Sequence, residues 1–256
     1  MEREFSLERN GLTIPCKLSQ PDFGDVRRVV LGIHGIGGSM DDAIQQALAE
    51  EMELFYSAVL RFDFPAHGSN PSDELTLDGC QNTLLAAAAW AKECFPEAED
   101  LCIFASGFGA YVTLLCLPEL MELPGKVRLV VQTPSVLMHS TLLSMCRMTP
   151  QTLRAMDRTI LPAPRPLSIT YAFYKQLQQH IALTTHPIPM LILQGESDDY
   201  IRSDDVHQFR RVNESAKLVT IPGASHRFLE EGAWDMVLDL TRDWFEYEQV
   251  LLSDFE

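Results

Sequence analysis

Residues 101–117, LCIFASGFGAYVTLLCL, join an apolar run that reads as a buried strand, Leu101 to Ala105, to a run that reads as a helix, Ala110 to Leu117. Only Ser106, Gly107, Phe108 and Gly109 lie between, too few for a loop. A strand that turns into a helix this sharply needs small residues where the two backbones nearly touch. That is the small-x-nucleophile-x-small-small pattern of a nucleophile elbow. With Ser106 at the tip, the residues two before and two after it are Phe104 and Phe108, both bulky. With residue 107 at the tip they are Ala105 and Gly109, followed by Ala110, and all are small. The tip is therefore residue 107, which is glycine. Ser106 sits one residue earlier, where its hydroxyl is expected to point away from the tip; it remains a weaker substitute for the missing side chain.

The elbow sits within a regular alternation. Upstream, residues 3–8 and 12–18 flank Asn10-Gly11, a hairpin signal, and read as an antiparallel edge pair. Strands are expected at 26–33 and 58–62, with helices at 41–56 and 76–95, the latter carrying the run Ala86 to Ala89 for close packing on a sheet. Downstream, 127–132, 188–194 and 216–221 read as strands, and 203–212 and 229–249 as helices. Strands alternating with helices imply a largely parallel, doubly wound sheet covered on both faces.

Residues 135–187 break this rhythm. They show no clear strand, contain Pro150, Pro162, Pro164 and Pro166, and carry helical stretches near 149–159 and 168–181. The simplest reading is a helical cap inserted into a core made of residues 1–134 and 188–256. Tyr171, Phe173 and Tyr174 on the second helix are spaced so that at least one is expected to face the pocket, the alternative being that they pack the cap onto the core.

Three further loops follow strands, on the edge of such a sheet where ligands bind. His34-Gly35-Ile36-Gly37-Gly38 offers free backbone amides. Beside an elbow, the amides of Ile36 and Phe108 would form an oxyanion hole. Asp198 follows a strand and Gly195, and His226 follows the strand ending near Ile221. Each alone is an ordinary turn residue. The order elbow, acid, histidine raises all three together.

With these residues in view, the chain resembles the α/β-hydrolase superfamily, and within it the capped feruloyl (cinnamoyl) esterases and serine aminopeptidase-type hydrolases. The matching residues are His34-Gly35, Asp63 with His67-Gly68-Ser69, Phe104 to Ala110, Gly195 with Asp198, and Pro222 to His226. The resemblance implies an α/β-hydrolase fold and a serine-histidine-aspartate triad. Asp198 and His226 match the acid and base, and Gly107 departs from the serine. His34, Gly35 and Tyr174 are assigned to substrate contact. Three readings stay open: an esterase-like hydrolase of small esters, including aromatic acyl esters; a non-catalytic binding or sensor protein; and a serine esterase of which this copy carries a replacement at residue 107.

Composition bounds the rest. A chain of 256 residues with 46% apolar and 22% charged residues is globular and large enough for a substantial core. Thirty-six acids against 20 bases give a net charge of −16, which argues against nucleic acid and anionic membranes as partners. No apolar run is long enough to span a bilayer, and MEREFSLERN has no apolar segment after its charges, so a cytoplasmic protein without a signal peptide is expected. The six cysteines lack metal or CxxC spacing and read as reduced, with Cys94, Cys102 and Cys116 in the core. A small-molecule ester or ester-like ligand is expected, with no cofactor and no metal; the oligomeric state is left open.

Overall fold

The computed structural model describes residues 1–162 and 166–248. Pro164 and the expected end of the last helix at position 249 lie outside them. An eight-stranded sheet forms the centre. It contains β1 (Glu2–Arg9), β2 (Leu12–Ser19), β3 (Arg28–Ile33), β4 (Ser57–Phe62), β5 (Asp100–Ser106), β6 (Lys126–Gln132), β9 (Met190–Gly195) and β10 (Lys217–Ile221). Its order is β1-β2-β4-β3-β5-β6-β9-β10. β1 and β2 are antiparallel, β2 joins β4 antiparallel, and the other neighbours are parallel. The first hairpin closes at Arg9↔Leu12, with Asn10 and Gly11 both at positive φ, the geometry that a two-residue turn of this kind demands.

Helices α1 (Ala43–Leu54), α2 (Leu77–Cys94), α3 (Phe108–Leu115), α4 (Leu117–Leu120), α8 (Ser203–Val212) and α9 (Ala233–Tyr247) complete the core. Strand residues alternate between two apolar layers. Leu101, Ile103 and Ala105 join the layer with α2, α3 and α8, while Cys102 and Phe104 join the one with α1 and α9. Ala86, Ala87 and Ala88 are buried against the sheet, as their size allows. No helix among the described residues is long and apolar enough to cross a membrane. Cys102 and Cys116 are buried as expected, but Cys94 is exposed, because the end of α2 turns position 94 away from the sheet.

The segment between β6 and β9 is more regular than its sequence suggests. It holds α5 (Met138–Cys146), α6 (Pro150–Met156), an antiparallel pair β7 (Arg158–Leu161) and β8 (Leu167–Thr170), and α7 (Tyr171–Gln179). The expectation of no strand is therefore corrected, and so is that of helices running through 159 and from 168. Each strand is only four residues, too short for alternation to show. Their β-branched members Thr159, Ile160, Ile169 and Thr170 favour the pleat nevertheless. α6 and α7 start on Thr149 and Thr170, whose hydroxyls accept the Thr152 and Phe173 amides, and Pro150 occupies the first turn of α6. α5 has no side-chain cap, so its start carries no such signal in the sequence.

Candidate active site

The elbow is built as its small residues require. β5 ends at Ser106, α3 begins at Phe108, and Gly107 alone connects them at φ 50° and ψ −107°. That positive φ strains any residue with a β-carbon. Gly109 is needed for a different reason: a β-carbon there would come within 2.4 Å of the His34 carbonyl oxygen. The tip is tied to β6 as well. The Gly107 amide donates to the Gln132 carbonyl at 2.9 Å, and the Ser135 amide donates to the Gly107 carbonyl at 3.3 Å.

His226 comes from the loop after β10 and Asp198 from the loop after β9. Gly195 lets the loops meet, since a β-carbon on it would stand 2.5 Å from the Ala224 carbonyl oxygen. The Ser197 amide then donates to that same carbonyl, at 2.9 Å. Nδ1 of His226 lies 2.9 Å from Oδ2 of Asp198. The other oxygen of Asp198 accepts from the Tyr200 and Ile201 amides, at 2.9 Å each, and Oδ2 also accepts from the Gln194 side chain at 3.1 Å. Burial opposes ionisation of Asp198. The hydrogen bond and charge of His226, with the two amides, outweigh it and hold the carboxyl below its ordinary value. A carboxylate on Nδ1 fixes the tautomer that leaves Nε2 as the free nitrogen. Nε2 faces Gly107, where a β-carbon would stand 3.8 Å away.

Gly107 and His226 border a cavity of about 560 Å³ that is also lined by His34, Gly35, Ile36 and Phe108. Met138, Thr141, Met145, Leu161 and Pro162 of the 135–187 segment form another wall. His34 is fully enclosed. Its Nδ1 pairs with the Gly35 carbonyl at 2.8 Å and its Nε2 accepts the Phe64 amide at 3.2 Å, so the ring shapes the glycine loop. Burial drives its pKa down and keeps it uncharged. Ser106 also borders the cavity, but its hydroxyl donates to Gln132 Oε1 at 2.7 Å.

Tyr174 is not brought to this cavity. It is 2% exposed, and its hydroxyl accepts from Gln178 at 2.8 Å. Of the three aromatic residues of α7, Phe173 packs edge-on to Phe108, with centroids 6.1 Å apart, and none lines the cavity. Several lining residues were not singled out beforehand. Tyr200 meets the His226 ring edge-on at 5.2 Å, and Leu229 and Trp234 border the opening. Ser135 and Thr133, just past β6, line the floor. The position of Ser135 one residue after Pro134, beyond a strand end, was the one available signal.

The sequence matches the profile described as the alpha/beta hydrolase family over residues 30–240, and the chain belongs to that family. No curated protein sequence matches it closely enough to count as a relative. Among solved structures it is similar to Est1E of Butyrivibrio proteoclasticus with ferulic acid bound, at 17% identity and a TM-score of 0.82 over 94% of this chain and 98% of that one. Mouse alpha/beta hydrolase domain-containing protein 10 gives 17% identity and a TM-score of 0.77, over 96% and 100% of the two chains. A serine hydrolase from Xanthomonas campestris described as lacking a lid gives 18% and 0.66, over 96% and 94%. These likenesses establish the fold.

Proposed function

We propose that this chain is an esterase-like member of its family whose cavity takes small carboxylic esters or ester-like molecules, with His226 as base and Asp198 as its acid partner. The observation that carries the reading is the facing pair Gly107 and His226, a complete histidine-aspartate relay aimed at a tip without a side chain. No acyl-enzyme can form at Gly107. What the site retains is attack by water. Nε2 takes the proton of a water whose oxygen adds to the ester carbonyl, and the Ile36 and Phe108 amides hold the oxyanion. Collapse expels the alcohol, which takes the proton back. Removing the nucleophile of a comparable triad costs about a millionfold in turnover, and roughly three to four powers of ten over water remain. The 135–187 segment serves as the cap, and its residues Met138, Met145 and Leu161 give the acyl group an apolar wall. Est1E holds ferulic acid, which supports an aromatic acyl group among the candidates. Six unpaired thiols suit the reducing cytoplasm.

Gly107 itself favours a second reading, in which the cavity binds without turnover. The two separate in one experiment. Hydrolysis of p-nitrophenyl acetate and butyrate is followed for the parent and for His226→Ala. Slow hydrolysis lost in the variant supports the water route, whereas equal background rates leave a binding protein.

A further inference from the structure

Around a β-carbon built on Gly107, outside its chain neighbours, the atoms within 4 Å are Nε2 and Cε1 of His226, at 3.8 and 3.9 Å. An oxygen standing where a serine hydroxyl would stand therefore meets Nε2 without obstruction. The Phe108 amide opens α3, a helix of eight residues, and the first amides of a helix lack intrahelical partners. Ile36 lines the same cavity from the glycine loop. Ser135 lines the cavity beside them, with its hydroxyl, unpartnered among the described residues, buried out of solvent contact. Its amide is bonded to the Gly107 carbonyl, which places it beside the elbow.

The two amides donate to an oxygen ligand, and Nε2 of His226 does so once it is protonated. An acyl-serine would present them with two oxygens, the carbonyl oxygen to the amides and the serine oxygen to Nε2. A free carboxylate carries the same two oxygens on one carbon, with no bond to the chain. The second oxygen of an ester is a poor acceptor, so it forgoes the charge-assisted bond to the imidazole. We propose that the site selects the carboxylic acid, as its anion, over the corresponding ester. One oxygen accepts from the Ile36 and Phe108 amides, and the other occupies the missing hydroxyl's place and accepts from His226. This rests on reading these residues as an ester-type site, and names the ligand that Gly107 makes the preferred one.

The pair requires a proton on Nε2, taken from solvent. Asp198 holds Nδ1, Tyr200 offers only a ring edge, and Arg227, an exposed cation, lines the same cavity. Asp42 lines the cavity with its carboxylate against Gly38 of the glycine loop and His34 is uncharged, while Glu230 and Glu196 are engaged by the Ser225 and Gly223 amides.

Calorimetric titration of the full chain with butyrate, benzoate and cinnamate, each against its methyl ester, tests the proposal. At least one acid should bind about tenfold or more tighter than its ester, the worth of one charge-assisted bond. Its affinity should fall as the pH rises, with proton uptake seen as a buffer-dependent enthalpy. Gly107→Ser, checked by a thermal melt, should weaken the acid because the hydroxyl takes its oxygen's place. Should that variant not fold, His226→Gln carries the test and should erase both the acid preference and the pH dependence. Esters binding as tightly as acids would overturn the carboxylate proposal and leave the ester-type site standing. Failure of all three acids and all three esters to bind would overturn both.

Discussion

A β-carbon on Gly107 would stand 3.8 Å from Nε2 of His226, close enough for a serine hydroxyl there to reach it by ordinary rotation about χ1. Gly107→Ser is therefore expected to create esterase activity toward short aryl esters. The same change imposes φ 50° on a residue with a β-carbon and should lower stability by about 1–3 kcal/mol. Initial rates on p-nitrophenyl esters and paired melts check both. A variant that melts lower yet stays inactive means that the glycine loop or His226 does not support the reaction.

Ser106→Ala tests the neighbouring hydroxyl. Its loss leaves Gln132 Oε1 without the 2.7 Å donor, at an expected cost of about 1–2 kcal/mol. Any residual hydrolysis should be unchanged, because the hydroxyl is committed to Gln132. A fall in rate beyond that explained by unfolding would assign Ser106 a part in the chemistry.

Gly195→Ala is expected to be severe. Its new methyl would meet the Ala224 and Ser225 carbonyl oxygens at 2.5 and 2.7 Å, both backbone atoms that cannot swing aside. Overpacking of this kind costs roughly 1–3 kcal/mol, and the loop must move away from Asp198 to relieve it. In the Gly107→Ser background the alanine should cut kcat more than KM. Gly223→Ala, where nothing lies within 4 Å, serves as the control, though its φ of 66° still adds strain.

The Asp198 carboxyl loses its proton more readily folded than unfolded, because His226 and the Tyr200 and Ile201 amides favour the anion over the opposing effect of burial. Its stabilising contribution is complete above the ordinary carboxylate range, about pH 4, and fades as pH falls through the lower folded value. The Tm gap between parent and Asp198→Asn should be widest near neutrality and shrink in acid. A gap that is constant with pH would mean that the charge adds nothing.

The elbow was legible because a strand end and a steric demand coincide there, and the acid and histidine loops because each follows a strand in the order elbow, acid, histidine. Ala105, Gly109 and Gly195 are small where backbones touch, and that requirement is written one residue at a time. The 135–187 segment was not. Its four-residue strands carry too few positions for a period, and α5 lacks a capping side chain. Tyr174 was misleading for a related reason. Helical spacing places it with Tyr171 on one face, but which surface that face meets depends on the path of the preceding hairpin.

The hydrogen bonds joining Gly107 to Gln132 and Ser135 run through backbone atoms of the tip. The turn therefore keeps its shape whatever side chain it carries, and its form can be inherited without its chemistry. Where glycine is encoded by GGT or GGC, a single transition writes serine, and the reverse transition erases it. A lineage holding this scaffold can gain or lose the side chain at the tip without rebuilding the loops around it.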